Sequence, residues 1–265
     1  MRLRLIFNLK NKGAILPFHH QKLVSDLIHD LIGEYGSILY SFSGVKGQTK
    51  VGREGLHYFS RKITIVFSCL EPSLAVKLSE AVFSRDHFVL GNLLIEPDSI
   101  EEEVFKGNFS EKAPFLCISP VVLLNTPDNQ VNKEFIHPSM DRFSDLMYES
   151  TMERMEKSGY YSAEDIKSFY RFQVLPDYAY LEKISKSSKK FARIYSIISK
   201  GEVKEIRGYT FPFTVYADAK VLDFLYNSGV GEMNEYGFGM VDLVEKHKIE
   251  RVVVRESVQD NVFKE

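Results

Sequence analysis

Twice along this 265-residue chain the hydrophobic pattern runs strand, helix, strand, strand, helix, strand, an order that few folds accommodate. In the first half Leu3, Leu5, Phe7 and Leu9 alternate with Arg2, Arg4, Ile6 and Asn8, the period of a strand with one buried face. Val24, Leu27, Ile28 and Leu31 then fall on one helical face that stops at Gly33. Strands are expected around 56–60 and 63–69, a helix opening at Glu71-Pro72-Ser73, and a strand over 87–95. The second half repeats the order: a strand over 115–124, a helix from Ser139 to about Lys157, strands near 178–184 and 209–217, a helix over 219–227 and a strand over 236–244. The expected fold is α+β, two tandem ferredoxin-like (RRM-like, βαββαβ) domains at 1–110 and 111–250, with a tail at 251–265. The acidic residues Asp98, Glu101, Glu102 and Glu103, followed by Gly107 and Pro114, mark the expected boundary.

Composition narrows the function classes. Lys and Arg number 34 against 36 Asp and Glu, so the chain lacks the overall basicity of many nucleic-acid binders, while local patches stay open. Cys69 and Cys117 are too few for a disulfide scaffold and sit in apolar stretches. No apolar run approaches the roughly 18 residues of a membrane span, and Met1–Leu5 has no signal-peptide core behind it, so a cytosolic location is expected. The seven histidines lack ligand spacing except for the His19-His20 pair, which neighbouring carboxylates do not support; His-Glu-x-x-His and Gly-x-Ser-x-Gly are absent, and neither a metal nor a cofactor is expected.

The most specific local feature is Gly229-Val-Gly-Glu-Met-Asn-Glu-Tyr-Gly-Phe-Gly239, two Gly-apolar-Gly triplets between a short helix and a strand. Glycine admits positive φ and lets backbone N–H groups converge on phosphate oxygens, which makes Gly229, Gly231, Gly237 and Gly239 candidate RNA contacts. A dinucleotide fingerprint fails because Asn234 stands where its third glycine belongs, and a P-loop fails for want of Gly-Lys-Ser/Thr. The strand leaving the loop partly echoes an RNA-recognition strand, with Tyr236 in place of its leading basic residue. Upstream, residues 183–207 hold eight Lys or Arg against Glu202 and Glu205, interleaved with Phe191 and Tyr195. Such a run displaces counterions from a phosphate backbone, and Lys189, Lys190 and Arg193 are the candidate contacts.

The glycine run, followed by Met240-Val241, resembles the C-terminal signature of the CRISPR repeat-processing endoribonucleases, the Cas six proteins of the repeat-associated mysterious protein (RAMP) superfamily. The opening strand Met1–Leu9, the segment Leu16-Pro-Phe-His-His-Gln21 and the strand Phe115–Val121 are similar to the corresponding parts of that family. The resemblance implies binding of a CRISPR repeat in a precursor transcript and one metal-independent cut per repeat. The RNA's own 2′-hydroxyl attacks, leaving a 2′,3′-cyclic phosphate and a 5′-hydroxyl. It places His29 where the family has a tyrosine and Ser43 where many members have a catalytic histidine, with Lys50, or alternatively Lys46, as the downstream lysine. On this alignment His29 is the proton-transfer residue, Lys50 or Lys46 the transition-state cation and Tyr40 a helper, while His20 caps or orients the first helix. Loss of the histidine at Ser43 leaves a repeat-binding subunit that cuts slowly or not at all as the alternative. Effector-complex proteins and a second copy of the chain are further partners that the resemblance admits.

Overall fold

The computed structural model describes residues 1–33, 39–125, 134–187, 192–199, 202–244 and 248–257. The first unit consists of β1 (Arg2–Leu9), α1 (Gln21–Ile32), β2 (Tyr40–Phe42), β3 (Lys62–Cys69), α2 (Pro72–Val82) and β4 (Leu93–Phe105). Its strands lie in the order β4-β1-β3-β2, every pair antiparallel, with Leu5 opposite Ile65 on one side and Ile100 on the other. Leu3, Leu5, Phe7 and Leu9 are buried in a core they share with Val24, Leu27, Ile28 and Leu31 of α1 and with Leu74 and Leu78 of α2. At roughly 1.5–3 kcal/mol per fully buried aliphatic side chain, this apolar face is what holds the helices on the sheet. A separate small sheet joins Ile15–Leu16, Leu56–Tyr58 and Thr49–Val51.

The second unit begins with β5 (Lys112–Cys117), α3 (Arg142–Ser158), α4 (Ala163–Ser168), β6 (Phe172–Pro176) and α5 (Tyr178–Ser185). It continues through the paired strands β7 (Ala192–Ser199) and β8 (Glu202–Tyr209), then β9 (Pro212–Ala217), α6 (Ala219–Ser228) and β10 (Val241–Leu243). Its sheet order, β6-β9-β5-β10, reproduces the pattern of the first, so both units have the ferredoxin-like arrangement. Among the described residues no helix is long and apolar enough to cross a membrane.

Several elements differ from the sequence expectation. The stretch near 178–184 is helix α5, because the Asp177 side chain accepts a hydrogen bond from Tyr180 N (2.9 Å) and caps it. The strand expected over 115–124 ends at Cys117, and that expected over 236–244 shortens to Val241–Leu243 behind a 3-10 turn at Asn234–Tyr236. Ser139 does not cap α3; Asp141 holds the N-cap position, and Ser139 hydrogen-bonds His137 instead. The acidic residues expected at the boundary lie inside β4, where Glu101 pairs with Arg4 and Glu103 with Arg2. Part of the expected tail is a strand: Ile249–Glu256 forms β11, which pairs antiparallel with β4 and extends the first sheet, while residues 258–265 lie outside the described residues.

Arg2 joins the two units. Fully buried, it donates from Nε to Glu103 (2.9 Å) and from Nη1 to the Val241 carbonyl of β10 (2.8 Å), while Nη2 lies 3.4 Å from Asp242. Burial works against the Glu103 carboxylate, yet the guanidinium groups of Arg2, Arg4 and Arg251 together hold its pKa below the ordinary value.

Candidate functional site

His29 sits in the last turn of α1, half-buried, on the side away from the Val24–Leu31 stripe. Its Nε2 lies 2.9 Å from the Tyr40 hydroxyl and its Nδ1 3.4 Å from Ser25 Oγ. Ser25 already donates its proton to the Glu235 carbonyl (2.7 Å), so it can only accept from the imidazole. That chain puts the His29 proton on Nδ1 and leaves Nε2 to accept from Tyr40. Burial lowers the His29 pKa, opposed by Asp26 and Glu235. Burial, with the Glu235 charge added, pushes the Tyr40 phenol up to about 12, so it remains a donor at neutral pH. Two expected catalytic residues, His29 and Tyr40, are thus in direct contact, at the point where the glycine run of the second unit meets α1.

The glycines fold that run tightly rather than opening it. Gly229, Gly231, Gly237 and Gly239 all have φ between 67° and 84°. A Cβ would meet the Val230 carbonyl at 1.9 Å from Gly239, the Val122 carbonyl at 2.5 Å from Gly231 and the Phe42 ring at 2.5 Å from Gly237. The N–H groups expected to face phosphate point inward in three cases: Gly229 donates to Leu225 O, Gly237 to Asn234 O and Gly239 to Pro120 O. Arg154 of α3, which sequence reasoning missed, fastens the loop from behind, donating to the carbonyls of Ser228 (2.6 Å), Gly229 (2.9 Å) and Gly231 (3.4 Å). Burial depresses its pKa to about 10. Nothing in the local sequence distinguishes this arginine from the exposed charges of the same helix.

Lys46 and Arg193 line a second feature, a cleft of about 320 Å³ between the units that also holds His20, Ser119, Tyr180 and Tyr195. Burial pulls the Lys46 ammonium down to about 8, with Asp242 opposing and Arg2 and Arg4 reinforcing. His20 donates from Nδ1 to the Pro17 carbonyl (3.1 Å), which leaves Nε2 as an acceptor facing Gly44. Its pKa is lowered by burial, partly restored by that hydrogen bond, and lowered again by Arg193 and His19. His20 and Tyr195 enlarge the candidate set; their sequence signals were the His19-His20 pair ahead of α1 and the aromatic residue within the basic run.

The expected residues therefore divide between two places. Tyr40 lies opposite Cys69 and Lys46 opposite Thr64, five positions apart along β3, or about 17 Å at ~3.3 Å per residue. Lys50 is in neither place: it is exposed on Thr49–Val51, its Nζ 5.3 Å from the Phe59 ring. Lys189 and Lys190 lie outside the described residues. Ser43 is fully buried, donating to Gly44 O (2.8 Å) and accepting from Val66 N (3.0 Å), and so offers no group for proton transfer. Among the described residues no three His, Cys, Asp or Glu side chains gather as metal ligands.

The family model for the C-terminal part of the CRISPR-associated protein Cas6 matches residues 100–243. No curated protein matches the sequence. Among solved structures, a Cas6-related protein from Pyrococcus furiosus superposes with a TM-score of 0.75 at 18% identity, covering 93% of this chain and 99% of that one. A RAMP protein described as binding different RNA substrates gives 0.73 at 19% identity, with 92% and 100% covered. A CRISPR-associated Cas6 protein gives 0.71 at 16%, with 92% and 99% covered. At these identities the likeness is one of fold.

Proposed function

Since this chain belongs to the Cas6 family of CRISPR-associated RAMP proteins, we propose that it binds CRISPR repeat RNA in a precursor transcript and cuts it without a metal, using the RNA's own 2′-hydroxyl. The observation that carries the reading is the hydrogen-bonded chain from Tyr40 through His29 and Ser25 to Glu235 at the junction of the two units. A histidine whose pKa is lowered is neutral at pH 7, and its Nε2 lone pair accepts the 2′-hydroxyl proton once the RNA hydroxyl takes the place of the Tyr40 O–H that occupies it in the free protein. That proton loss drives attack on the adjacent phosphorus, the P–O5′ bond breaks, the departing 5′-oxygen takes a proton from water, and a 2′,3′-cyclic phosphate and a 5′-hydroxyl result. Tyr40 is fully buried, and its role is to orient the imidazole rather than to touch RNA. Lys46, about 17 Å from Tyr40 along the sheet, and Arg193 in the same cleft grip phosphates away from the cut, and the partly exposed Tyr180 offers a ring for an unpaired base. The glycine run holds the geometry and, through Glu235, anchors Ser25.

A second reading, repeat binding without cleavage, is favoured by one observation: Ser43, where the family alignment puts a histidine, has its hydroxyl committed to the backbone. One experiment separates the two. The protein is mixed in EDTA with its own repeat RNA and with the same RNA made 2′-deoxy at the cut. Cleavage of the first alone supports the enzyme; tight binding with neither cut rejects it. His29→Ala is expected to lower the single-turnover rate at least 100-fold, in the range removed with a general base, while retaining RNA affinity. A full rate in that variant removes His29 from the mechanism.

A further inference from the structure

Among the described residues the outer edge of β11 is open and largely apolar at its centre. Among the described residues β11 ends the first sheet, paired with β4 on one side only. Val252, Val253 and Val254 are 45%, 49% and 46% exposed. An eight-residue edge strand without proline or lysine, bearing three consecutive exposed valines, is a template for another strand. The charges around the valines say which strand fits.

The register of β11 on β4 sets Glu250 opposite Val104, Val252 opposite Glu102 and Arg255 opposite Ile100, with a bulge between Val253 and Arg255. Without that bulge Arg255 would fall on the opposite face from Glu250; the extra residue brings Glu250, Val252 and Arg255 onto one face. Arg255 accordingly lies over the Phe83 ring (5.0 Å) beyond the end of α2. Counted in positions along β4, Glu250 and Arg255 each stand two steps from Val252, on opposite sides. A two-fold axis through Val252 therefore places Glu250 of one copy directly across from Arg255 of the other, twice, with the two Val252 side chains meeting at the axis.

The backbone agrees with this pairing. Lys106 N donates to Lys248 O at 2.8 Å, so alternation turns the amide groups of Arg251 and Val253 towards the open edge. In the same two-fold arrangement Arg251 of one copy lies across from Val253 of the other, where those groups exchange hydrogen bonds. Val252 and the Glu250–Arg255 pairs then occupy the non-hydrogen-bonded positions, whose side chains approach most closely.

We infer that two copies of this chain associate edge to edge through β11, antiparallel, joining their first sheets into one continuous sheet. The pairing does not depend on whether RNA is cut. Light scattering on the full chain at tens of micromolar is expected to give twice the 30.5 kDa chain mass. Glu250→Arg and Arg255→Glu each set like charges opposite one another and are expected to give chain-mass monomers with unchanged circular dichroism. An equimolar mixture of the two variants restores both ion pairs and is expected to recover the doubled mass. Val252→Lys, which puts two ammonium groups on the axis when it pairs with itself, is expected to be monomeric on its own. A wild-type monomer at these concentrations, variants that remain dimeric on their own, or a mixture that fails to re-associate would each overturn the pairing.

Discussion

Arg154→Met removes the guanidinium fork behind the glycine run and nearly preserves side-chain length. Two of its hydrogen bonds are short, to Ser228 O (2.6 Å) and Gly229 O (2.9 Å), and the third, to Gly231 O, is long at 3.4 Å. Bonds from a charged donor contribute roughly 1.5–3 kcal/mol each, so losing the two short ones costs about 3–6 kcal/mol. Against this, the buried guanidinium carries a desolvation penalty. Burial holds its pKa down to about 10, a penalty that the methionine does not incur and that offsets part of the loss. The net expectation is destabilisation by about 2 kcal/mol, a fall in Tm of ~4–8 °C for a chain of this size. Arg154→Lys keeps the charge and loses the fork, so one ammonium must serve carbonyls that the guanidinium reached with separate nitrogens; it is expected to fall between wild type and Arg154→Met. Urea unfolding supplies the energies, and amide exchange localises them: protection should drop at residues 228–240 before it drops in α1. An Arg154→Met protein as stable as wild type, with unchanged exchange in the loop, would refute the assignment of Arg154 as its fastening.

Gly239→Ala places a Cβ 1.9 Å from the Val230 carbonyl at a φ of 76°, where the adjacent backbone cannot yield cheaply. A loss of more than about 3 kcal/mol in urea unfolding is expected, whereas Gly159→Ala, at a similar φ but with nothing within 4 Å, should lose only about 1 kcal/mol. Glu103 has a depressed folded-state pKa, so its stabilisation is full above the unfolded carboxylate value of about 4.3 and is lost as pH falls through the lower folded value. Unfolding midpoints measured from pH 6 to pH 3 should decline in wild type and decline less in Glu103→Gln, which starts lower; parallel curves would rule the linkage out. For His29 acting as base, the single-turnover rate should rise with pH to a plateau, its midpoint below the ordinary 6.5 because burial disfavours the charged ring. A rate that falls over that range would assign His29 the acid role.

Periodic elements were legible because their signal is local. The alternation of β1 and the Val24–Leu31 stripe of α1 each report one buried face, and the structure buries those residues. What stayed illegible depended on distant partners. Glu101 and Glu103 read as a polar linker because nothing near them announces Arg2 and Arg4, which neutralise them from about a hundred residues away. Strand-like composition at 178–184 was overruled by one capping carboxylate, Asp177. For the candidate site, sequence reasoning named His29, Tyr40 and the four glycines, and assigned the glycines a phosphate cradle whose N–H groups largely face inward. It grouped Lys46 with His29, although the sheet register sets Lys46 far from Tyr40, the partner of His29. It gave no reason to look at Arg154, since a cation buried against carbonyls leaves no trace in its neighbours' identity.

The return of β11 to the first sheet bears on the order of events during synthesis. The chain leaves the first sheet at Phe105, builds the second unit, and comes back at Ile249 to lie along β4. While residues 112–243 emerge from the ribosome, the flank of β4 that β11 will occupy stays uncovered, although the βαββαβ core behind it already has every strand it needs. At 5–20 residues per second that interval lasts about 7–26 seconds, a window in which a nascent first unit can take a wrong strand on its bare flank. Closing that flank can occur only after the second unit has been made.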